Sequence, residues 1–320
     1  MTFLEFLLLS TFGYAALASP ATSGSSSATT MTTIGKECKI LFDGRVPQKM
    51  TPADFDKNSS IFDHQFVHGQ NQTWAEIIKF PVGIPPSMFD IPKNAKPVEV
   101  TINDNSIFLP GGDPPQPQVG FRRSELIPAT NNGSDITVQG TTTFHWSIRN
   151  DPLRPLNFSH EYHPAWHETA DFSTSEITFL TGTPFNKSFD PTVRDPKTLR
   201  LAGRQSNSPE TTFFQTPFEF DVWHNFAVTL GWTDNTLTVY YSKGIAPLKR
   251  VAGPAFNDNS GGGQFHTGVF KEPTGPLGID VLHEGFQESN LNEGLIFGGI
   301  FIEDSAGGCV SLFPSVLGVL

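Results

Sequence analysis

Residues 226–241 read FAVTLGWTDNTLTVYY, and this stretch decides the fold class. Phe226, Val228 and Leu230 alternate with smaller or polar residues, which is the period-two pattern of a strand with one buried face. Residues 233–236, TDNT, are typical of a turn, and a second alternating run begins at Leu237. Two such runs joined by turn residues predict an antiparallel β-hairpin.

The same alternation recurs along the chain, and a helical period is nearly absent. It is seen in residues 98–103, 144–149, 265–269 and 295–302. The chain also contains 29 Gly and 26 Pro, which is typical of a protein with many turns. We therefore predict an all-β protein, an antiparallel β-jelly-roll sandwich in a single domain, with a two-domain arrangement as the alternative.

The composition excludes several classes of function. The 320 residues include 21 Lys+Arg and 32 Asp+Glu, a formal net charge of −11. Nucleic-acid binding needs clusters of Lys and Arg to neutralise phosphates, and the sequence has none, so no nucleic-acid partner is expected. The same charge argues against uronate or phosphate substrates. A hydrophobic content of 37% allows a real core and argues against wholesale disorder.

The N-terminus has the features of a secretory signal peptide. Residues 3–18 are apolar, are too short to span a bilayer and end in a small-x-small sequence, Ala16-Leu17-Ala18. An anchored or buried N-terminal segment is the alternative, and no other part of the chain predicts a membrane span. The predicted organisation is a signal peptide (1–18), a Ser/Thr-rich disordered lead-in (19–35), one domain (36–313) and a short tail (314–320).

A secreted chain with two cysteines and several glycosylation sequons is expected to use both. Cys38 and Cys309 lie near the two ends of the mature chain, which predicts a disulfide; two separate buried thiols are the alternative. Five Asn residues have Ser or Thr two positions later, which predicts N-glycosylated surface loops. These residues are Asn58, Asn71, Asn132, Asn157 and Asn186.

The first candidate for chemistry is the segment Gly120–Leu126, GFRRSEL. On a strand, Arg123 and Glu125 share a face because they are two residues apart. An arginine beside a carboxylate can keep it ionised and orient it. The alternative is an ordinary surface ion pair.

The second candidate is residues 156–168, LNFSHEYHPAWHE, which is rich in His, Glu and aromatic residues. A zinc site is disfavoured because Pro164 would break the helical turn that His163 and His167 would need. Glu125 with Glu161 or Glu168 could instead supply the two carboxyl groups of an acid/base pair. A polar, hydrogen-bonded loop is the alternative.

Two further segments carry polar residues beside aromatic ones. His224 in Val222–Ala227 could assist a carboxylate, but its parity with Phe226 favours a core position. Gln264 precedes Phe265 and His266, and this segment could line a sugar subsite, with loop decoration as the alternative.

Taken in order, these segments resemble the fungal glycoside hydrolase family 131. Further segments support the resemblance, which runs from about residue 38 to residue 312. They include Phe42–Arg45, Gly261–Gln264, Gln287–Gly294, Gly298–Asp304 and Gly308–Leu312. The resemblance implies a secreted β-jelly-roll enzyme that hydrolyses β-1,3, β-1,6 and β-1,4 linkages of β-glucans with inversion. Separately from the resemblance, no cofactor and no metal are expected.

The resemblance also implies an Arg, two Glu and a His in a sheet cleft. Arg123 and Glu125 match the Arg-x-Glu element, Glu161 is the preferred second carboxylate with Glu168 as its competitor, and His224 is the match for the histidine. In the resulting scheme Glu161 is the acid and Glu125, ionised beside Arg123, is the base.

The expected substrate is a neutral β-glucan bound in an open cleft by a monomer, with no membrane partner. Sugar rings stack on aromatic side chains, and their hydroxyls need polar neighbours. Trp166 and Trp223 are the predicted stacking residues, with core packing as the alternative for each. The other predicted substrate-binding residues are His160, Tyr162, Glu168 and Gln264. A non-catalytic glucan-binding protein and, less favoured, a polysaccharide lyase are the alternatives.

Overall fold

The computed structural model describes residues 38–185, 195–207 and 210–314. The predicted signal peptide and Ser/Thr-rich lead-in, the sequon at Asn186 and residues 315–320 of the predicted tail lie outside the described residues. No helix in the described part of the chain is long and apolar enough to cross a membrane.

Strands dominate the described residues, as the alternating pattern predicts. They are β1 (Ile40–Asp43), β2 (Val46–Pro47), β3 (Ile78–Lys79), β4 (Ala95–Lys96), β5 (Val98–Asn103), β6 (Arg122–Leu126), β7 (Thr141–Asn150), β8 (Glu161–Glu168), β9 (Ser175–Gly182), β10 (Thr198–Ala202), β11 (Thr212–Pro217), β12 (His224–Gly231), β13 (Thr236–Lys243), β14 (Lys249–Phe256), β15 (Gln264–Lys271) and β16 (Asn292–Asp304). The helical elements are one α-helical turn, α1 (Trp74–Ile77), and 3₁₀ turns at Pro52–Asp54, Ile91–Lys93, Ile136–Val138 and Ala306–Gly308.

Two antiparallel sheets form the sandwich, which confirms the predicted fold class. The larger sheet has the order β14-β13-β12-β7-β16-β5-β3, with β1 also paired to β16. The second sheet has the order β11-β10-β9-β8-β15-β6, and β2 pairs with β4 separately. The predicted hairpin is β12–β13, in which Leu230 lies opposite Leu237 and Phe226 opposite Tyr241. Asn235 in its turn has φ 51°, a conformation that Asn tolerates well.

Aromatic side chains join the two sheets in the core. Trp146 of β7 stacks on its neighbour Phe226 at 5.5 Å and meets the ring of Phe179 from the other sheet at 5.5 Å. Phe265 of β15 lies 5.8 Å from Trp146 and 5.1 Å from Phe144. Successive residues of a strand point to opposite faces of the sheet. The residues just before and after each core residue of the second sheet therefore lie on the face turned away from the core. That opposite face carries the candidate site.

The two cysteines are joined, as predicted. Cys38 and Cys309 form a disulfide with a sequence separation of 271. Four of the five predicted sequon residues lie in the described chain, and all four are exposed. They are Asn58, Asn71, Asn132 and Asn157. Surface position is what N-glycosylation requires, and the glycosylation itself stays a prediction.

Candidate active site

Three neighbouring strands of the second sheet, β6, β15 and β8, build the site. Leu126, Phe265 and Ala165 are their core residues. The residues that alternate with them project from the opposite face, because the side-chain period of a strand is two. The side chains of this face that contact one another are Arg123, Glu125, Trp166, Glu168, His266 and Phe270. We call this set the β6–β15–β8 cluster.

Arg123 and Glu125 form a bidentate ion pair at the edge of the sheet. Nε of Arg123 donates to Oε1 of Glu125, and Nη2 donates to Oε2 at 2.6 Å. The Glu125 side chain has 0% exposure and that of Arg123 has 10%. The paired groups are therefore shielded from water, unlike a surface ion pair.

Aromatic rings hold the guanidinium of Arg123 in place. Its Cζ lies 5.0 Å from the ring centre of Phe108, 5.8 Å from Phe121, 5.7 Å from Trp166 and 5.2 Å from Phe270. Rings at these distances attract a cation and leave it few alternative positions. The position of the Glu125 carboxylate is fixed in turn by the two hydrogen bonds from Arg123.

Electrostatics keep Glu125 ionised. Burial by itself would raise the pKa of this carboxyl group, but the charge of Arg123 and the hydrogen bonds from His266 and Arg123 outweigh it and lower the pKa below its ordinary value. The charges of Glu125, Glu168 and Glu272 likewise outweigh burial at Arg123 and raise its pKa. The cluster thus contains a fixed carboxylate at neutral pH.

His266 lies between two carboxyl groups. Its Nδ1 is 3.0 Å from Oε2 of Glu125, and its Nε2 is 3.5 Å from Oε2 of Glu168. An ionised carboxylate only accepts hydrogen bonds, so Nδ1 is the donor to Glu125. Trp166 stacks on the imidazole at 4.7 Å with an interplanar angle of 12°. Nε2, which is buried and makes no hydrogen bond within the described residues, is directed toward Glu168.

Glu168 is the carboxyl group of the cluster that reaches solvent. Its side chain is 23% exposed, against 0% for Glu125. Gln264, a predicted substrate-binding residue, lies opposite Glu168 in the pairing of β15 with β8 and donates from Nε2 to the backbone oxygen of Asn131 at 2.7 Å. Glu168 and Gln264 therefore lie together at one end of the site.

Glu161, the preferred second carboxylate of the sequence, lies elsewhere. It begins β8 and Glu168 ends it, and seven residues of extended strand span roughly 20 Å. Oε2 of Glu161 accepts from the backbone N–H of Phe185 at 2.6 Å, and Oε1 accepts from Nη2 of Arg200 at 3.3 Å. Of the two candidates, Glu168 is the one whose contacts lead to Glu125, through His266. The identity of the second catalytic carboxylate stays a prediction.

His224 is also far from the cluster, on strand β12 of the other sheet. It is buried, its Nδ1 is 2.8 Å from the hydroxyl of Tyr241, and its Nε2 is 3.1 Å from the backbone oxygen of Glu219. Both ring nitrogens thus have structural partners, and the assignment of His224 to the site stays a prediction that these contacts do not support. The histidine beside Glu125 is His266, which alternation with the core residue Phe265 could have identified.

The two tryptophans predicted to stack on sugar have different positions. Trp223 is buried and donates from Nε1 to the backbone oxygen of Pro85 at 2.9 Å, outside the β6–β15–β8 cluster. Trp166 is in the cluster but is also buried, with one face covered by His266. The structure therefore favours the core alternative for Trp223 and a supporting position for Trp166.

His160 and Tyr162 belong to a buried polar network behind the sheet. The hydroxyl of Tyr162 donates to Glu293 at 2.7 Å, and His160 lies 3.1 Å from Glu288 through Nε2. Lys271, which is fully buried, donates to Glu288 at 2.6 Å and to Glu293 at 2.8 Å. Such a network satisfies buried charges, so His160 and Tyr162 have structural partners, and their predicted contact with substrate stays a prediction.

Among the described residues, no group of three or more His, Cys, Asp or Glu side chains could hold a metal ion. The side chains of the cluster supply a fixed carboxylate, an imidazole and a second, solvent-accessible carboxyl group.

Comparison with known proteins agrees with this geometry. The family description "Glycoside hydrolase 131 catalytic N-terminal domain" matches residues 40–308. No curated protein shows a significant match. The fold is similar to that of a GH131 β-glucanase catalytic domain from Podospora anserina, with a TM-score of 0.64 and 20% identity over 87% of this chain and 99% of that one. It is also similar to a glycoside hydrolase family 131 catalytic domain from Coprinopsis cinerea, with a TM-score of 0.61 and 19% identity over 86% of this chain and 98% of that one. The family match covers most of the chain and contains every residue of the cluster, and on this ground the protein belongs to glycoside hydrolase family 131.

Proposed function

We propose that this glycoside hydrolase is a secreted β-glucanase that cleaves β-1,3, β-1,6 or β-1,4 glucosidic linkages by an inverting acid/base mechanism. The observation that carries the proposal is the placement of His266 between Glu125 and Glu168. Two carboxyl groups of different environment are what inverting hydrolysis of a glycosidic bond requires. The name of the Podospora anserina domain supports β-glucan as the substrate class.

In this mechanism Glu168 is the general acid. It is the carboxyl group of the cluster that reaches solvent, so a sugar chain bound on the sheet can meet it. Its proton goes to the glycosidic oxygen as the bond from that oxygen to the anomeric carbon breaks.

Glu125 is the base of the pair, because the charge of Arg123 outweighs its burial and keeps it ionised. The ring of His266 separates it from Glu168, since the two ring nitrogens lie 3.0 Å and 3.5 Å from the two carboxyl groups. Inverting hydrolysis needs such a separation: the water that attacks the anomeric carbon from the face opposite Glu168 gives its proton to the base, while Glu168 protonates the leaving oxygen.

A neutral glucan suits the charge of the protein. The net charge of −11 disfavours polyanionic chains at long range, which also argues against the lyase alternative. Secretion agrees with the predicted signal peptide, the terminal disulfide and the sequons.

The test is hydrolysis of laminarin, a β-1,6-glucan and a β-1,4-glucan, with products separated by size. We expect the wild type to release sugars from at least one glucan and Glu125→Gln to lose at least ~10²-fold in rate. Glu284→Gln is the matched control, because Glu284 is exposed and lies outside the cluster. Binding without hydrolysis by the wild type would replace this proposal with the glucan-binding alternative.

A further inference from the structure

A cavity of about 230 Å³ adjoins the candidate active site. Residues 65–71 and 107–109 line it. It flanks β6, because the backbone N–H of Glu125 donates to the backbone oxygen of Val67 at 3.0 Å. Phe108 forms a shared wall, since its ring lies 5.0 Å below the guanidinium of Arg123. A chain bound on the β6–β15–β8 cluster that continued past β6 would therefore enter this cavity.

The walls of the cavity are held in a defined and strained shape. Val67 has φ 60°, which is unfavourable for a β-branched residue, and Asn71 has φ 55°. Gly69 has φ 88°, and a Cβ there would lie 2.5 Å from the backbone oxygen of Asn105. Glycine is thus required for the two walls to approach each other. Local strain of this kind is found preferentially at functional sites.

The lining combines apolar rings with uncommitted amides. Phe66 is 55% exposed. The side-chain amides of Gln65 and Gln70 make no hydrogen bond to any residue in the described part of the chain. Asn71 also lies in the lining but belongs to a predicted glycosylation sequon, so its amide is not counted among the free ones. An exposed ring can stack on the apolar face of a sugar, and free amides can both donate to and accept from its hydroxyls.

The lining has no Asp, Glu, Lys or Arg, and its titratable side chain is His68, whose Nδ1 lies 3.1 Å from the backbone oxygen of Gly69. Recognition of a uronate or a phosphate would need a cation there, because a buried anion requires a partner. The cavity therefore suits an uncharged, hydroxyl-rich ligand.

We propose that this cavity is a subsite that holds one neutral glucosyl residue of the substrate chain, remote from the bond that is cleaved. The proposal rests on the proposed function, because the occupant is a residue of the same glucan. Contacts in this cavity strengthen the binding of long chains, and short chains do not reach the cavity and gain nothing from it. The affinity for gluco-oligosaccharides should accordingly rise sharply at the length that reaches past β6.

The test compares Phe66→Ala with Phe256→Ala on gluco-oligosaccharides of increasing length. Phe256, at the end of β14 in the other sheet, is 74% exposed against 55% for Phe66, so it controls for loss of an exposed ring. We expect Phe66→Ala to raise the KM of the long oligosaccharides roughly five- to tenfold, with the KM of short ones unchanged. Gln70→Ala should also raise the KM of long oligosaccharides only, by a smaller factor. This substitution does not alter Val67, Gly69 or Asn71, the residues with positive φ.

A KM that rises equally at all lengths, or not at all, in both Phe66→Ala and Gln70→Ala would overturn the subsite. The proposed function is judged separately, by hydrolysis in the wild type and its loss in Glu125→Gln. If the wild type hydrolysed no glucan, calorimetric titration of the same oligosaccharides into the wild type and Phe66→Ala would still decide the subsite. Length-dependent binding lost in Phe66→Ala would support it, and equal binding by both proteins would refute it.

Discussion

Replacing Arg123 with methionine should reveal how strongly the fold depends on the buried pair. The side chain of Glu125 is fully buried and takes two of its three polar contacts from Arg123. Methionine fills the space among the aromatic rings but leaves the carboxylate with His266 alone. Removing one partner of a buried ion pair costs about 3–5 kcal/mol. A domain of this size loses roughly 2–4 °C in Tm per kcal/mol, so Arg123→Met should lower the Tm by about 10 °C near neutral pH.

The loss should depend on pH in a defined direction. In the wild type the pKa of Glu125 is below its ordinary value, so its contribution to stability is present above the unfolded pKa and disappears as the pH falls through the folded pKa. In Arg123→Met, burial is no longer outweighed by the arginine, and we expect the folded pKa to lie above the unfolded one. At acidic pH the carboxyl group of Glu125 in the variant binds a proton, which removes the cost of burying an unpaired charge. The Tm difference between the two proteins should therefore be largest at neutral pH and should shrink toward about pH 4.

The assay is thermal unfolding followed by circular dichroism at several pH values, together with glucan hydrolysis. Arg149→Met is the matched control, because Arg149 pairs at 3.1 Å with Asp221, whose side chain is 76% exposed. Such a pair is worth about 0–1 kcal/mol. An Arg123→Met protein with the Tm of the wild type at neutral pH, or with a Tm difference that does not shrink in acid, would refute the electrostatic reasoning.

Three further outcomes follow from the site and the fold. Glu168→Gln should lose at least ~10²-fold in kcat/KM at an unchanged Tm. Glu161→Gln should retain most of its kcat/KM, and the reverse ranking would make Glu161 the second carboxylate. The first sugar released from a β-glucan should be the α-anomer when followed by NMR, and a first-formed β-anomer would exclude the inverting scheme. Replacing both Cys38 and Cys309 with serine opens a loop of 271 residues and should cost about 5 kcal/mol in urea unfolding; an unchanged midpoint would contradict this.

The correct and incorrect parts of the sequence reasoning have a common physical cause. Period-two alternation identified the hairpin of β12 and β13, because one buried face leaves a direct trace in the order of apolar residues. The same alternation placed Arg123 and Glu125 on one face, and the structure confirms that they form a pair. It also favoured a core position for His224, where the resemblance to family 131 pointed to the site.

The choice between Glu161 and Glu168 could not be made from spacing. Both lie on β8, and only the register of β8 with β15, together with a bulge in that pairing, decides which end of the strand faces His266. Register is a relation between strands that are about a hundred residues apart, and no local pattern encodes it. Alternation with Phe265 could place His266 on the face of the site, but only the register of β15 with β6 places it beside Glu125.

The sequence by itself determined the all-β class, the hairpin, the pairing of the two cysteines and the Arg123–Glu125 element, because each depends on a local pattern or on composition. The tertiary structure alone decided which residues join that element. His266 and Glu168 meet Glu125 through cross-strand contacts, and the cavity beside β6 forms where residues 65–71 cross residues 105–109. Contacts between distant segments arise from sheet register and chain crossing, which are fixed only when the core packs.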